Sequence, residues 1–305
     1  MKLAPIVLFV YNRPSHTGQT VEALKKNTLA GESDLFIFAD GPKKETDRGK
    51  VKKVRKYIRT VDGFKKITII ERKKNFGLAE SIIKGVTEVT NKHGKVIVLE
   101  DDLLTSRYFL RFMNDALNYY QDEETVGSIH GYVYPIKNTL PETFFLRDPG
   151  CLGWATWQRA WRLFNNNGDS LLKELVRKKL TAQFDYGNSY PFTEMLNKQA
   201  DGRIDSWAIK WYASLFLKNK LTLYPGNSLV FHNVNDGSGT HGGVSDDYAV
   251  QLSARQIKIS DILLVENKTV LLEYIRYFES IKPSYLFKTI KKMASNLNAF
   301  CRRIT

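Results

Sequence analysis

The sequence predicts an α/β protein built on a mostly parallel, Rossmann-like sheet flanked by helices, and three observations lead there. Short apolar, β-branched runs alternate with segments of helical periodicity through the first 130 residues. Such alternation places parallel strands in one sheet with helices on both faces. The runs also end on polar residues, Asn12-Arg13, Asp40-Gly41, Glu71-Arg72 and Glu100-Asp101-Asp102. Ligands in sheets of this kind bind beyond the carboxyl ends of the strands, so four polar ends point to one functional edge.

Each element follows in order. The run at 5–10 (PIVLFV) is the first strand; its apolar part is too short for a secretory leader, and Asn12-Arg13-Pro14 offers no small-residue cleavage site. A helix is expected over 17–26, a strand over 35–39, a helix over 50–59 and a strand over 67–70. Then come a helix over 78–91 and a strand over 96–99. The next helix, 108–120, puts Phe109, Met113, Ala116, Leu117 and Tyr120 on one face, with Ser106 placed to cap it. A fifth strand fits 126–130. Beyond that the beat is lost: 131–160 mixes Gly, Pro and aromatics. Helical patterns return at 170–180, 191–198 and 206–218, and strand-like runs at 221–225 and 228–234. A Gly-rich loop at 236–243 comes next, and the last 40 residues read as helices. Three stretches result, 1–130, 131–245 and 246–305, without a linker that would separate independent domains.

Composition narrows the classes. With 305 residues and 43% hydrophobic content the chain can build a large core. It lacks a run of about 18 apolar residues, which excludes a membrane-spanning helix. Cys151 and Cys301 sit far apart in unlike surroundings, which fits a reducing, cytoplasmic compartment. The net charge of +14 is concentrated: residues 43–74 hold fourteen Lys and Arg against four acids, and 282–303 hold six and no acid. The first zone reads as solvated helix faces. Neither zone carries the interleaved aromatics of a base-stacking platform, so nucleic acid is not an expected partner. In the tail, 281–305, an apolar face with basic flanks suits either core packing or an anionic membrane surface.

The stretch KVIVLEDDL carries the strongest chemical signal. Three carboxylates at the end of a buried strand repel one another and call for a compensating cation. No G-x-G-x-x-G follows the first strand and no G-x-x-x-x-G-K-[ST] occurs, so a diphosphate would need a divalent cation instead. Mg2+ and Mn2+ use one or two protein carboxylates together with phosphate oxygens.

Six blocks in order, PIVLFVYNRPSHT, FADGPK, NFGLAESIIKGV, KVIVLEDDL, GWATWQRAW and DGSGTH, resemble the nucleotide-sugar glycosyltransferases of GT-A fold over roughly residues 3–245. They are most similar to bacterial family 2 enzymes and are related to the N-acetylglucosaminyltransferase I group. The resemblance implies an inverting, metal-dependent transfer from a UDP-sugar to a hydroxyl of a glycan or lipid-linked acceptor in polysaccharide assembly. It makes 1–130 the donor half, 131–245 the acceptor half and 246–305 a helical extension. Asp102 would ligate Mn2+ or Mg2+, with Glu100 and Asp101 toward the ribose. Asp40 would accept hydrogen bonds from the base or ribose, and Arg13 would lie near the base or pyrophosphate. Asn75, Gly77 and Ser81 would border the donor pocket at a helix start suited to an anion. The Gly-Trp segment with Trp154 would border donor and acceptor, although Trp157 and Trp161, four apart, would share a helix face and suit the core equally. The general base would be Asp205, with Asp201 the competitor and N-capping the alternative use of Asp205. His241 in DGSGTH would complete the metal site; His232 lies in the preceding strand, and His130 carries no role. Two other classes remain open: a sugar-nucleotide nucleotidyltransferase, and a non-enzymatic basic protein binding membranes or polyanions.

Overall fold

The computed structural model describes residues 2–233 and 246–281. In chain order the elements are β1 (Ile6–Val10), α1 (Pro14–Lys25), β2 (Asp34–Ala39), α2 (Arg48–Ile58), β3 (Lys66–Glu71), α3 (Leu78–His93), β4 (Lys95–Glu100), β5 (Leu103–Thr105), α4 (Phe109–Tyr119), β6 (Val126–His130), β7 (Thr143–Leu146) and β8 (Trp154–Trp157). Next come α5 (Gln158–Trp161), α6 (Gly168–Arg177), α7 (Thr181–Phe184), α8 (Phe192–Ala200), α9 (Trp207–Leu217), β9 (Leu221–Pro225), β10 (Val230–His232) and α10 (Lys268–Ile281).

Among the described residues the strands form an eight-stranded sheet, ordered β3-β2-β1-β4-β8-β6-β9-β7, and a ribbon of β5 with β10. The first four strands in that order are parallel, with Ile6 opposite both Leu35 and Ile97. Their carboxyl ends, and with them Arg13, Asp40 and the acid triplet, therefore share one edge. β8 runs antiparallel between β4 and β6, and β7 runs antiparallel at the far end. The expected α/β class with a mostly parallel sheet is the observed one.

The periodicities explain the layers. β1 is buried at all five positions, which is why its sequence is a continuous apolar run. α3 buries Ile82, Val86 and Val89 against one sheet face and ends at Gly94 in the left-handed conformation. α4 buries the opposite face through Phe109, Met113, Ala116 and Leu117, as its spacing predicts. Each such aliphatic or aromatic side chain contributes about 1.5–3 kcal/mol on burial. A third cluster, under α6, α9 and α10, holds Phe184, Tyr212 and Tyr274. One expectation fails in the middle of the chain. Trp157 ends strand β8, Trp161 lies in α5, and they enter different core clusters rather than sharing a helix face. Residues 250–267 are irregular, and α10 begins at Lys268, within the last 40 residues that read as helices. The basic segment 282–305 and the DGSGTH loop lie outside the described residues.

Candidate active site

The end of β4 delivers three acids into one small volume. Asp101 and Asp102 are buried and Glu100 is half-buried. Arg13, at the end of the neighbouring strand β1, donates from Nη2 to Asp101 Oδ1 and reaches Asp102 Oδ2 from Nη1 at 3.0 Å. Thr20 anchors the same turn by donating to the Asp101 carbonyl at 2.8 Å. One guanidinium cannot balance three carboxylates. Burial, reinforced by Asp102 and Asp101, pushes Glu100 up to about 8. Burial likewise raises Asp101 to about 6, against the pull of Arg13. At Asp102 burial is outweighed by His232 and Arg13, which hold the carboxyl below the ordinary range. Asp102 is thus the acid of the three whose carboxylate form is most favoured, and Asp101 Oδ2 is buried without a partner.

His232 reaches this cluster through the β5–β10 ribbon. β5 follows the acids directly and pairs antiparallel with β10, setting His232 opposite Leu103. Its Nε2 lies 3.5 Å from Asp102 Oδ2, and the Asn233 N–H donates to the Asp102 carbonyl at 2.8 Å. The sequence reading passed over His232 in favour of His241, which lies outside the described residues. Among the described residues no group of three or more His, Cys, Asp and Glu could hold a metal ion. The donor set still fits Mn2+ or Mg2+ with a diphosphate: an ionised carboxylate, an imidazole beside it, and an orphaned carboxylate oxygen in a cluster short of positive charge.

Asp40 is engaged by the chain itself. Its carboxylate accepts from the backbone N–H of Gly41 (2.8 Å), Phe76 (2.9 Å) and Gly77 (3.0 Å), and from Asn75 Nδ2 (3.0 Å). These bonds occupy its lone pairs, so any hydrogen bond from a base or ribose would compete with the turn at 75–77. Asn75 also donates to the Gly41 carbonyl, and Asn75 therefore ties the two strand-end loops together. Gly77, at φ +76°, begins α3, and a Cβ there would lie 4.0 Å from Asp205 Oδ2. Ser81 sits one turn on, its N–H bonded to the Gly77 carbonyl and its buried Oγ unpartnered.

Asp205 is thereby brought to the start of α3 from the far half of the chain. It does not cap α9; Ser206 does, accepting from the Ile209 N–H. Asp205 is exposed, immediately before that cap. Asp201 ends α8 and is paired with Arg203 at 2.7 Å. Of the two candidate bases, Asp205 is the one beside the α3 start.

Trp154 is not a pocket residue. It is 1% exposed, sits in β8 opposite Val98, and stacks on Trp207 with ring centroids 5.2 Å apart. The segment 148–153, just before β8, is held by two clamps. Asp148 accepts from the Gly150 N–H at 2.8 Å, and His130 Nε2 accepts from the Leu152 N–H at 3.1 Å. Gly150 has φ +58°, and a Cβ there would fall 2.3 Å from the His130 ring. Burial keeps His130 neutral, its value lowered to about 3, and raises Asp148 to about 6. Between these two clamps lies Cys151, whose thiol burial raises with help from Glu100 and Asp148. The His130 clamp is not visible in the sequence, because it joins residues 22 positions apart.

The model for glycosyl transferase family 2 matches residues 6–174. No curated protein sequence matches the chain. Among solved structures the chain is similar to the mannosyltransferase PcManGT from Pyrobaculum calidifontis, in complex with GDP-Man and Mn2+, at 13% identity, 70% of this chain, 73% of that one and a TM-score of 0.40. It is also similar to S. aureus TarS 1-349 (12% identity, 77% and 62% covered, TM-score 0.43). A third is the galactosyltransferase LgtC with donor and acceptor sugar analogs (12% identity, 72% and 72% covered, TM-score 0.37).

Proposed function

Because the chain belongs to glycosyl transferase family 2, we propose that it moves a sugar from a UDP-sugar to a hydroxyl of a glycan or lipid-linked acceptor, with inversion, in polysaccharide assembly. The observation that carries this reading is the ionised Asp102 between Arg13 and His232 at the end of β4, with Asp205 brought across to the start of α3. Asp102 and His232 would hold Mn2+ or Mg2+, which when bound supplies positive charge to the departing diphosphate. Arg13 holds Asp101 and Asp102 together and offsets their repulsion in the absence of donor. Asp40 takes up the Gly77 N–H and fixes the 75–77 turn, so the start of α3, with the free N–H groups of its first turn, lines the donor side. Asp205 removes the proton from the acceptor hydroxyl as its oxygen bonds to the anomeric carbon and the bond from that carbon to the diphosphate breaks. An exposed, unburied carboxylate suits that step, because it can give the proton up to solvent afterwards.

Among the described residues no helix is long and apolar enough to cross a membrane. A lipid-linked acceptor would then be met at a surface, and the basic segment 281–305 is the part of the chain suited to that contact. The test is turnover of a panel of nucleotide sugars with Mn2+, read as release of nucleoside diphosphate. Release from one or two donors supports the transferase reading. Release of pyrophosphate from a nucleoside triphosphate and a sugar 1-phosphate would instead make the protein a nucleotidyltransferase.

A further inference from the structure

The basic zone at 43–74 is more than a set of solvated helix faces. α2 carries six Lys and Arg in eleven residues and no acid, and its apolar stripe, Val51, Val54 and Ile58, is buried against the sheet. Its remaining surface repeats like charges one turn apart, Arg48, Lys52 and Lys56 along one line and Arg55 and Arg59 along the next. Such i,i+4 repetition opposes helix formation, and Arg48 in the first turn also opposes the helix dipole. The two lines, mostly exposed, flank with Glu71 at the end of β3 an open cleft of roughly 550 Å3 at the sheet edge.

Countercharge inside this cleft is consumed on one side only. Arg59 takes both oxygens of Glu71, at 2.9 and 3.0 Å, and Arg55 stands 3.7 Å from the same carboxylate. Arg55 also donates to the Arg72 carbonyl at 2.6 Å and the Asp40 carbonyl at 3.3 Å, so it is fixed as the inner wall. Arg48 is paired outward with Glu45. Lys52 and Lys56 are exposed and make no ion pair with a described acid. None of the acid-triplet residues lines the cleft. We propose that this cleft is a second anion site, separate from the centre at Asp102, that takes a phosphate-bearing group, with Lys52 and Lys56 as its binding side chains. Charge-assisted contacts to phosphate oxygens would relieve the repulsion along α2. Since Arg55 bonds the backbone of Asp40, an occupied cleft abuts the loop that carries the donor side.

The test uses the full chain in EDTA, which leaves the centre at Asp102 without divalent cation, and titrates inorganic pyrophosphate calorimetrically. Wild type should bind, with affinity that falls as salt is added. Lys52→Ala/Lys56→Ala should weaken binding on the order of tenfold or more, the scale for two lost charged contacts. Lys50→Ala/Lys53→Ala removes the same charge from α2 outside the cleft and should bind like wild type. A parallel arm measures cosedimentation with phosphatidylglycerol vesicles. Loss of cosedimentation in the Lys52/Lys56 variant identifies a lipid headgroup as the phosphate source, and pyrophosphate binding without it identifies a soluble one. No pyrophosphate binding by wild type, or equal loss in both double variants, overturns the proposal.

Discussion

Replacing Asp40 by Asn separates a carboxylate that builds the donor side from one that reads the donor. In the Asp40→Asn protein the amide oxygen can keep the N–H groups of Gly41 and Phe76, but the amide nitrogen then faces the Gly77 N–H and the Asn75 side-chain NH2. Two donors lose their acceptor, and each buried unsatisfied donor costs about 1–3 kcal/mol. Gly77 and Asn75 are half-buried, so water relieves part of this, and the lower end applies: a loss of about 2–3 kcal/mol. Urea unfolding followed by tryptophan fluorescence measures it, with an unchanged slope required for the comparison. Amide exchange at Phe76 and Gly77 should accelerate while the β1 and β4 amides stay protected. Stability within about 0.5 kcal/mol of wild type, together with a fall in nucleotide affinity, would refute the loop-building role and return Asp40 to direct contact with the nucleotide.

Asp205→Asn should leave donor affinity near wild type and lower turnover by on the order of a hundredfold or more, the scale of a lost general base; Asp201→Asn, which removes only the pair with Arg203, should leave it nearly unchanged. Asp148, raised by burial from 3.8 to about 6, destabilises the folded protein as pH rises through that interval, because the folded state holds the proton longer than the unfolded one. Asp148→Asn should abolish that slope and add up to about 3 kcal/mol at pH 7, as read from unfolding curves against pH; His130 acts in the opposite direction in the same window, so the difference between the two proteins is the informative quantity. Gly150→Ala should cost about 3 kcal/mol or more or prevent folding, since its Cβ would meet the His130 ring and its φ is positive; a stability near wild type would mean the 148–153 segment is not clamped by His130.

What the sequence disclosed follows from the range of the interactions involved. β1, β2, β3, β4 and β6 were legible because each is a local apolar run with a local stop, and their shared polar edge followed from parallel order alone. Trp154-to-Trp161 was not, because a W-x-x-W-x-x-x-W spacing suits a strand running into a helix as well as a helix, and pairing of β8 with β4 decides between them. Asp205 and Ser206 are adjacent polar residues before the same helix. A one-residue choice of cap separates a structural Asp from a free one, and only the geometry fixes it. The meeting of His232 with Asp102 is hidden for a similar reason: it depends on β10 folding back onto β5. The bonds from Asp40 to the 75–77 turn are likewise hidden, because that turn follows β3, more than 30 residues on.

The most direct test of the central claim is calorimetric titration of UDP into wild-type and Asp102→Asn protein, each with Mn2+ and with EDTA. The account predicts that Mn2+ strengthens UDP binding by wild type and not by the variant, while the variant remains folded because removing one charge eases the repulsion among Glu100, Asp101 and Asp102. Equal UDP affinity in the two proteins with Mn2+ present would contradict it.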